Sequence, residues 1–412
     1  MAGGRPQLRP LYFTQFAGSL GFITLVTLLP TYIDLLDPSG TLIGLFVTSL
    51  ALARAAAIVP IGWAGDRYDK RTVLLAALAV SAVSYAAFAF VSTSAGFVGA
   101  RLLQGLGIAG TGLLALALVG EIAPTGERAN AIGKYNAWRM AAGIIGTLGA
   151  GALYQLSGFA AVFGLLAALL AAAFVAVYRR VEPDETSIEG FAFTALALNR
   201  RLLTVTSFRI QYAVAVTLVR NWVPIYVGVS AARGGLGQAA VVVGAVVAAE
   251  KFANMLGQPR AGRLSDRFGR ARFVLLGGGV YGLVALLVPF APAIGTALGL
   301  PGELFGYALA PGFFVLVALN GLLGAADSVR EPASMALFAD EGAGSGIASS
   351  FGVRNLVWLP GSIVAPMVGG YLMTQVGMEW VFYLGGAAAL SGVATMLAVL
   401  VRRHGRGALG QW

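Results

Sequence analysis

The stretch Gly62-Trp63-Ala64-Gly65-Asp66-Arg67-Tyr68-Asp69-Lys70-Arg71 decides the fold, because a second copy stands 200 positions later as Gly262-Arg263-Leu264-Ser265-Asp266-Arg267-Phe268-Gly269-Arg270. Each copy stands between two long apolar runs. Glycines near the end of a helix permit a tight turn and close approach of a neighbouring helix. An aspartate at a membrane boundary can pair with an arginine or cap a helix N-terminus, so each copy has the parts of a conformational latch. The same basic residues would equally serve as anchors on the cytoplasmic side. Outward from these loops the correspondence continues. Pro30-Thr31-Tyr32 is matched by Pro224-Ile225-Tyr226, and Asn136, Gly151, Gly158 and Phe163 recur 219 positions on as Asn355, Gly370, Gly377 and Phe382. Matches kept in order along both halves imply an internal duplication, and hence two helical bundles of the same design.

The composition says what those bundles sit in. Of 412 residues, 58% are hydrophobic and 11% charged, and the mean hydropathy is +0.81. Soluble domains are about half apolar and a quarter charged. Apolar runs long enough to cross a bilayer fall at roughly 11–33, 41–63, 73–92, 96–120, 130–154 and 158–178, then at roughly 204–228, 237–258, 272–292, 308–329, 346–373 and 378–401. The expected fold is an all-α polytopic membrane protein with twelve transmembrane helices in two pseudo-symmetric six-helix bundles. The first run is too long for a signal-peptide core and has no small-residue cleavage site behind it.

Inventory removes most chemistry. Cysteine is absent and the single histidine is His404 in the tail, which excludes thiol nucleophiles, disulfides, Cys/His zinc sites and histidine-based triads. No metal, no cofactor and no enzymatic activity is expected. A phosphate-binding Gly-x-x-x-x-Gly-Lys-Ser/Thr string is also missing, which argues against ATP-driven transport by this chain. The net charge of +10 does not form one basic face, so nucleic acid is not an expected partner.

Instead the basic residues alternate between connections. Arg5 and Arg9, the Arg67/Lys70/Arg71 cluster, Arg128 with Lys134, Arg179/Arg180 with Arg200/Arg201, the Arg260 to Arg272 cluster, Arg330 and Arg402/Arg403/Arg406 all fall on one side. The opposite connections hold little beyond Asp34, Asp37, Arg233, Glu303 and Glu379. The asymmetry places both termini in the cytoplasm. The longest polar interruption lies mid-chain, so the expected division is residues 1–180 as the N-terminal bundle, 181–203 as a cytoplasmic linker, and 204–412 as the C-terminal bundle with a short tail.

The string from Gly62 to Arg71 resembles the loop between the second and third spans of the major facilitator superfamily, and the resemblance extends over essentially the whole chain. Asp69 departs from the glycine usual there, whereas the second copy keeps it as Gly269. Arg101-Leu-Leu-Gln104-Gly105-Leu-Gly107 in the fourth span is similar to an Arg-x-x-Gln-Gly-x-Gly string associated with proton-coupled members. Gly143, Gly146, Gly149 and Gly151 in the fifth span resemble the antiporters' glycine-rich pattern, with Thr147 in place of its proline. The fuller version, Gly361-Ser-Ile-Val-Ala365-Pro366-Met-Val-Gly369-Gly370, lies in the eleventh span. The resemblance implies a twelve-span secondary transporter close to drug or metabolite:proton antiporters. Helix packing accounts for the small residues equally well.

Charges inside spans are the remaining site candidates, because an ionisable side chain there costs about 2.5–3.5 kcal/mol on insertion scales. Arg54, Arg101, Arg139, Arg220 and Arg354 would make a cavity electropositive. With Gln104, Asn221, Trp222 and Asn320 they form the candidate substrate contacts. Snorkelling of Arg101 to the interface is the alternative. Glu250, mid-way along the eighth span, and then Asp327 are the proton-coupling candidates; static pairing with nearby arginines is the competing account. No acid precedes Asp34 in the first span, against a multidrug cation antiporter of the usual kind.

The expected function is therefore proton-coupled efflux of a small organic solute by alternating access in a prokaryotic cytoplasmic membrane, by a monomer embedded in the lipid bilayer. The alternatives are a proton-coupled or exchange carrier for an organic anion, and a non-transporting receptor or scaffold built on a transporter fold.

Overall fold

The computed structural model describes residues 4–123, 128–183, 206–342 and 347–405. The chain is almost entirely helical, as bilayer-spanning segments must be, because hydrocarbon supplies no partners for backbone N–H and C=O groups. In order the helices are α1 (Gly4–Leu36), α2 (Gly40–Arg67), α3 (Lys70–Phe88), α4 (Ser94–Ile122), α5 (Arg128–Arg180), α6 (Arg209–Gly228), α7 (Ala240–Phe268), α8 (Arg270–Leu287), the short α9 (Ala291–Ala297), α10 (Phe313–Gly342), α11 (Ile347–Gln375) and α12 (Glu379–His404).

Among the described residues, ten helical stretches are long and apolar enough to cross a membrane. Two details reconcile this with the twelve runs read from sequence. Helix α5 contains Gly158 at φ 70° and ψ −175°, which divides one continuous stretch into two membrane-length pieces. Helix α6 has the length but carries Arg209, Gln211, Arg220 and Asn221, which lower its hydropathy. The repeat partner of Gly158 is Gly377, at φ 150°, and it separates α11 from α12. Both positions need a backbone that side-chain-bearing residues rarely adopt, which is why glycine stands at each.

Two compact units are formed, one of Met1–Pro38 with Leu45–Phe191, the other of Ser39–Gly44 with Ala192–Trp412. In the first, α1 packs along α5, and α3 packs along α4 and α5. An aromatic core of Tyr32, Phe46, Phe88, Phe97 and Phe163 is sealed from solvent, with the Tyr32 hydroxyl donating to the Phe88 carbonyl at 2.7 Å. In the second, α10 packs against α7 and α8, and α12 against α6 and α8.

The two repeated loops solve the same turn differently. Asp69 caps α3, its carboxylate accepting from the Arg71 and Thr72 amides and the Thr72 hydroxyl. Gly269 instead turns the chain at φ 96°. The departure of Asp69 from the repeat is thus a cap in exchange for a left-handed glycine. The tenth span begins at Phe313 rather than near 308, because Glu303–Leu304 and Tyr307–Ala308 pair as a small antiparallel hairpin.

Candidate functional site

The C-terminal unit concentrates its charges where α6, α7 and α10 meet. Arg220 on α6 donates through Nη2 to Glu250 Oε1 on α7 at 2.9 Å and to Asp327 Oδ2 on α10 at 3.0 Å. The other oxygen of Glu250 pairs with Lys251 Nζ at 2.6 Å. Asp327 Oδ1 accepts from Arg330 Nε at 3.0 Å and Nη2 at 2.7 Å, and Arg330 also pairs with Glu331. The Arg330 guanidinium lies 4.2 Å from the centre of the Tyr212 ring, and Tyr212 packs on Tyr281 of α8. Three cations and three carboxylates are joined in one network, so with all six ionised its charge sums to zero. Charges buried at membrane depth persist when they are paired and hydrogen-bonded in this way.

Close helix approach makes the network possible. A Cβ on Gly324 of α10 would meet the Glu250 backbone, with Cα at 2.9 Å and the carbonyl carbon at 2.8 Å. Asn320, one turn earlier, donates through Nδ2 to the Val246 carbonyl at 2.6 Å while buried. Asn320 therefore ties α10 to α7. Exposure is uneven across the cluster: the Arg330 side chain is 2% exposed and Asp327 8%, but Arg220 is 38% and Lys251 28% exposed. Intramembrane arginines as a rule face a cavity or a partner rather than hydrocarbon. Asn221 bonds to the Thr217 carbonyl on its own helix at 2.8 Å. Trp222 is fully buried, with its ring against Gly369.

In the N-terminal unit the arginine of the fourth span has another setting. Arg101 Nε donates to the Phe46 carbonyl of α2 at 2.8 Å, and Nη1 to Gln104 Oε1 at 2.9 Å. Gln104 Nε2 in turn reaches the Tyr85 hydroxyl of α3 at 2.7 Å. All three side chains are buried, and no carboxylate pairs with Arg101 among the described residues. In the same string Gly105 lies against the backbone of Leu50 and Arg54, and Gly107 against that of Ser81. The string fastens α4 to α2 and α3. Arg54 is exposed within α2 and makes no ion pair or hydrogen bond among the described residues, and Arg139 is exposed on α5.

The basic residues of the first loop bind neighbouring helices of their own unit. Lys70 Nζ pairs with Glu121 of α4 at 3.2 Å, and Arg71 donates to the Tyr178 carbonyl of α5 and lies over its ring. Arg67 sits over Trp63 at 5.7 Å, and Arg267 is exposed. Gly62 and Gly65 pack on Leu113 and Leu114, and Gly262 on Pro332. The side chains of Asp66, Asp266 and Arg354 lie outside the described residues, as does most of the 181–203 segment. Of the packing candidates, Gly146 adjoins Ile23, and Gly370 adjoins the backbone of Gly40 and Gly44, while Gly149 faces open space.

Lys251 and Arg330 are, like Glu250, Asp327 and Arg220, charged residues within the spans read from sequence, Glu331 is a neutralising acid beside them and Tyr212 a span aromatic. What the sequence did not do was join them into one network. The spacing of Asp327, Arg330 and Glu331 on one helical turn was the available signal.

Comparison with known proteins agrees with this architecture. The profile of the Major Facilitator Superfamily matches residues 11–302 and 252–411. The multi-drug resistance efflux pump PmrA of Streptococcus pneumoniae is 24% identical over 398 residues, 92% of each chain. The multidrug resistance protein MdtG of Proteus mirabilis is 23% identical over 391 residues, 92% of this chain and 91% of that one. Among solved structures, a bacterial homologue of the human lysosomal transporter Spinster superposes with a TM-score of 0.68 at 14% identity, covering 97% of this chain and 96% of that one. Its likeness is one of fold. With a matching family profile along nearly all of its length and a polytopic helical membrane fold, this chain belongs to the Major Facilitator Superfamily.

Proposed function

We propose that the protein is a proton-coupled secondary transporter of a small organic solute, working by alternating access in a prokaryotic cytoplasmic membrane with both termini inside. The observation that carries the coupling is Glu250, a carboxylate held within a span between Arg220 and Lys251. Protonating it releases Lys251 and leaves Arg220 held by Asp327 alone, which is the kind of change a transport cycle can use. The similarity to PmrA, a multi-drug resistance efflux pump, supports export as the direction. The repeated loops are proposed to latch one conformation, with Asp66 and Asp266 as the acidic partners. A second reading, an organic-anion carrier, is favoured by the open sides of Arg220 and Lys251.

The test is flux in liposomes holding the purified protein and a trapped pH dye, challenged with lipophilic cations and organic anions. Solute movement should be accompanied by a change in lumenal pH. Glu250→Gln should abolish proton-linked flux while sparing solute exchange. Solute flux indifferent to a pH gradient, or wild-type pH dependence in the variant, would remove proton coupling through Glu250.

A further inference from the structure

The charge network in the C-terminal unit carries an implication for the ligand. Its six members are Arg220 on α6, Glu250 and Lys251 on α7, and Asp327, Arg330 and Glu331 on α10. The hydroxyl groups facing it are those of Tyr212 on α6, which bonds to Asp327 at 3.4 Å, and of Tyr281 on α8, whose ring packs on Tyr212. Fully ionised, the set is neutral. Bringing in one anion leaves a net charge in a low-dielectric setting, which is unfavourable unless a proton comes with it. In that fully ionised state the carboxylates carry no proton that an incoming cation could displace.

Donor capacity points the same way. Arg220 donates only through Nη2 in the described bonds, although a guanidinium has five N–H groups. Arg330 Nη1 is buried with no hydrogen-bond partner among the described residues. Glu250 occupies both partly open cations, Arg220 through Oε1 and Lys251 through Oε2, while Asp327 holds Arg220 from the other helix. The same helices carry further half-buried amides, Asn221 bonded to its own helix at Thr217 and Gln258 bonded to Asn254 beyond Lys251.

We propose that the solute carries a carboxylate or similar anionic group that takes the place of Glu250 on Arg220 and Lys251, and that Glu250 accepts a proton in the same event. Anion and proton then load together and cross in the same direction. This departs from the antiport expected from the glycine-rich strings and, where protons run inward, from export as the direction. The proposal rests on the transport reading only for the steps after binding.

Purified protein is titrated with benzoate, a bulkier aromatic monocarboxylate, citrate, and tetraphenylphosphonium as the cationic probe. Ligand-induced thermal stabilisation and proton uptake in weakly buffered solution are both recorded. At least one carboxylate should stabilise, with uptake approaching one proton per ligand and affinity tightening by up to roughly tenfold for each unit fall in pH. Glu250→Gln should bind that carboxylate without proton uptake and with little pH dependence, while Arg220→Gln and Lys251→Met should lose it. Stabilisation by tetraphenylphosphonium alone, no carboxylate effect, or carboxylate binding without proton uptake would each overturn the proposal. Counterflow in liposomes separates the two ideas. A protein that carries a solute yet ignores carboxylates refutes only the anionic site, and one that binds carboxylates yet carries nothing refutes only the transport reading.

Discussion

Replacing Gly324 with alanine tests whether close contact of α7 and α10 sets the charge network. The added Cβ would lie 2.9 Å from Glu250 Cα and 2.8 Å from its carbonyl carbon, where about 3.5–4.0 Å is comfortable for carbon atoms. Backbone cannot swing aside, so the helices must part by about 1 Å. Overpacking of this kind costs about 1–3 kcal/mol, offset by the 0.5–1 kcal/mol or so that alanine gains over glycine within a helix. The net expectation is a loss of about 1–2 kcal/mol. Gly321→Ala is the control, since its Cβ meets nothing within 4 Å on the same helix, and it should be neutral or slightly stabilising. Function should suffer as well. Arg220 Nη2 reaches α7 at 2.9 Å and α10 at 3.0 Å, and a separation of about 1 Å breaks one of these bonds. Unfolding of both variants in one detergent, and the pH dependence of their flux in liposomes, make the comparison. If Gly324→Ala matches Gly321→Ala in stability and the wild type in pH dependence, the contact does not set the network.

Two further outcomes are expected. Arg101→Met should leave the Phe46 carbonyl and the Gln104 side chain without their donor, at about 1–3 kcal/mol each, so that stability and transport fall together. Full thermal stability with lost transport would instead return Arg101 to a role in the substrate path. Asp66→Asn should slow turnover more than it weakens ligand binding, as measured by comparing counterflow rate with ligand-induced stabilisation. Unchanged transport at normal membrane levels would dispose of the latch.

Much of the molecule was readable along the chain, for reasons of solvent physics. Hydrocarbon permits only hydrogen-bonded helices, so apolar length located the spans, and the repeated glycine and aspartate strings located the duplicated loops. Gly158 and Gly377 were legible as a repeated pair, but the positive φ that each adopts appears only in the fold. The burial cost of charge also singled out Glu250, Asp327 and the intramembrane arginines from sequence alone. What a linear pattern could not convey was partnership. Arg101 and Arg220 look alike in sequence, each an arginine inside a span, yet one donates to a carbonyl and a glutamine in a sealed helix junction, and the other bridges two carboxylates with an open side. Asn320 stands in sequence as one more polar residue within a span, and only the fold shows its amide donating across to the Val246 carbonyl. Helical periodicity fixes which face a residue lies on, but only the packing of α6, α7 and α10 brings Glu250 and Asp327, both far from Arg220 in the chain, within 3.0 Å of its guanidinium. Solvation sets the elements one at a time, whereas pairing energy depends on distances between elements that exist only once the chain has folded.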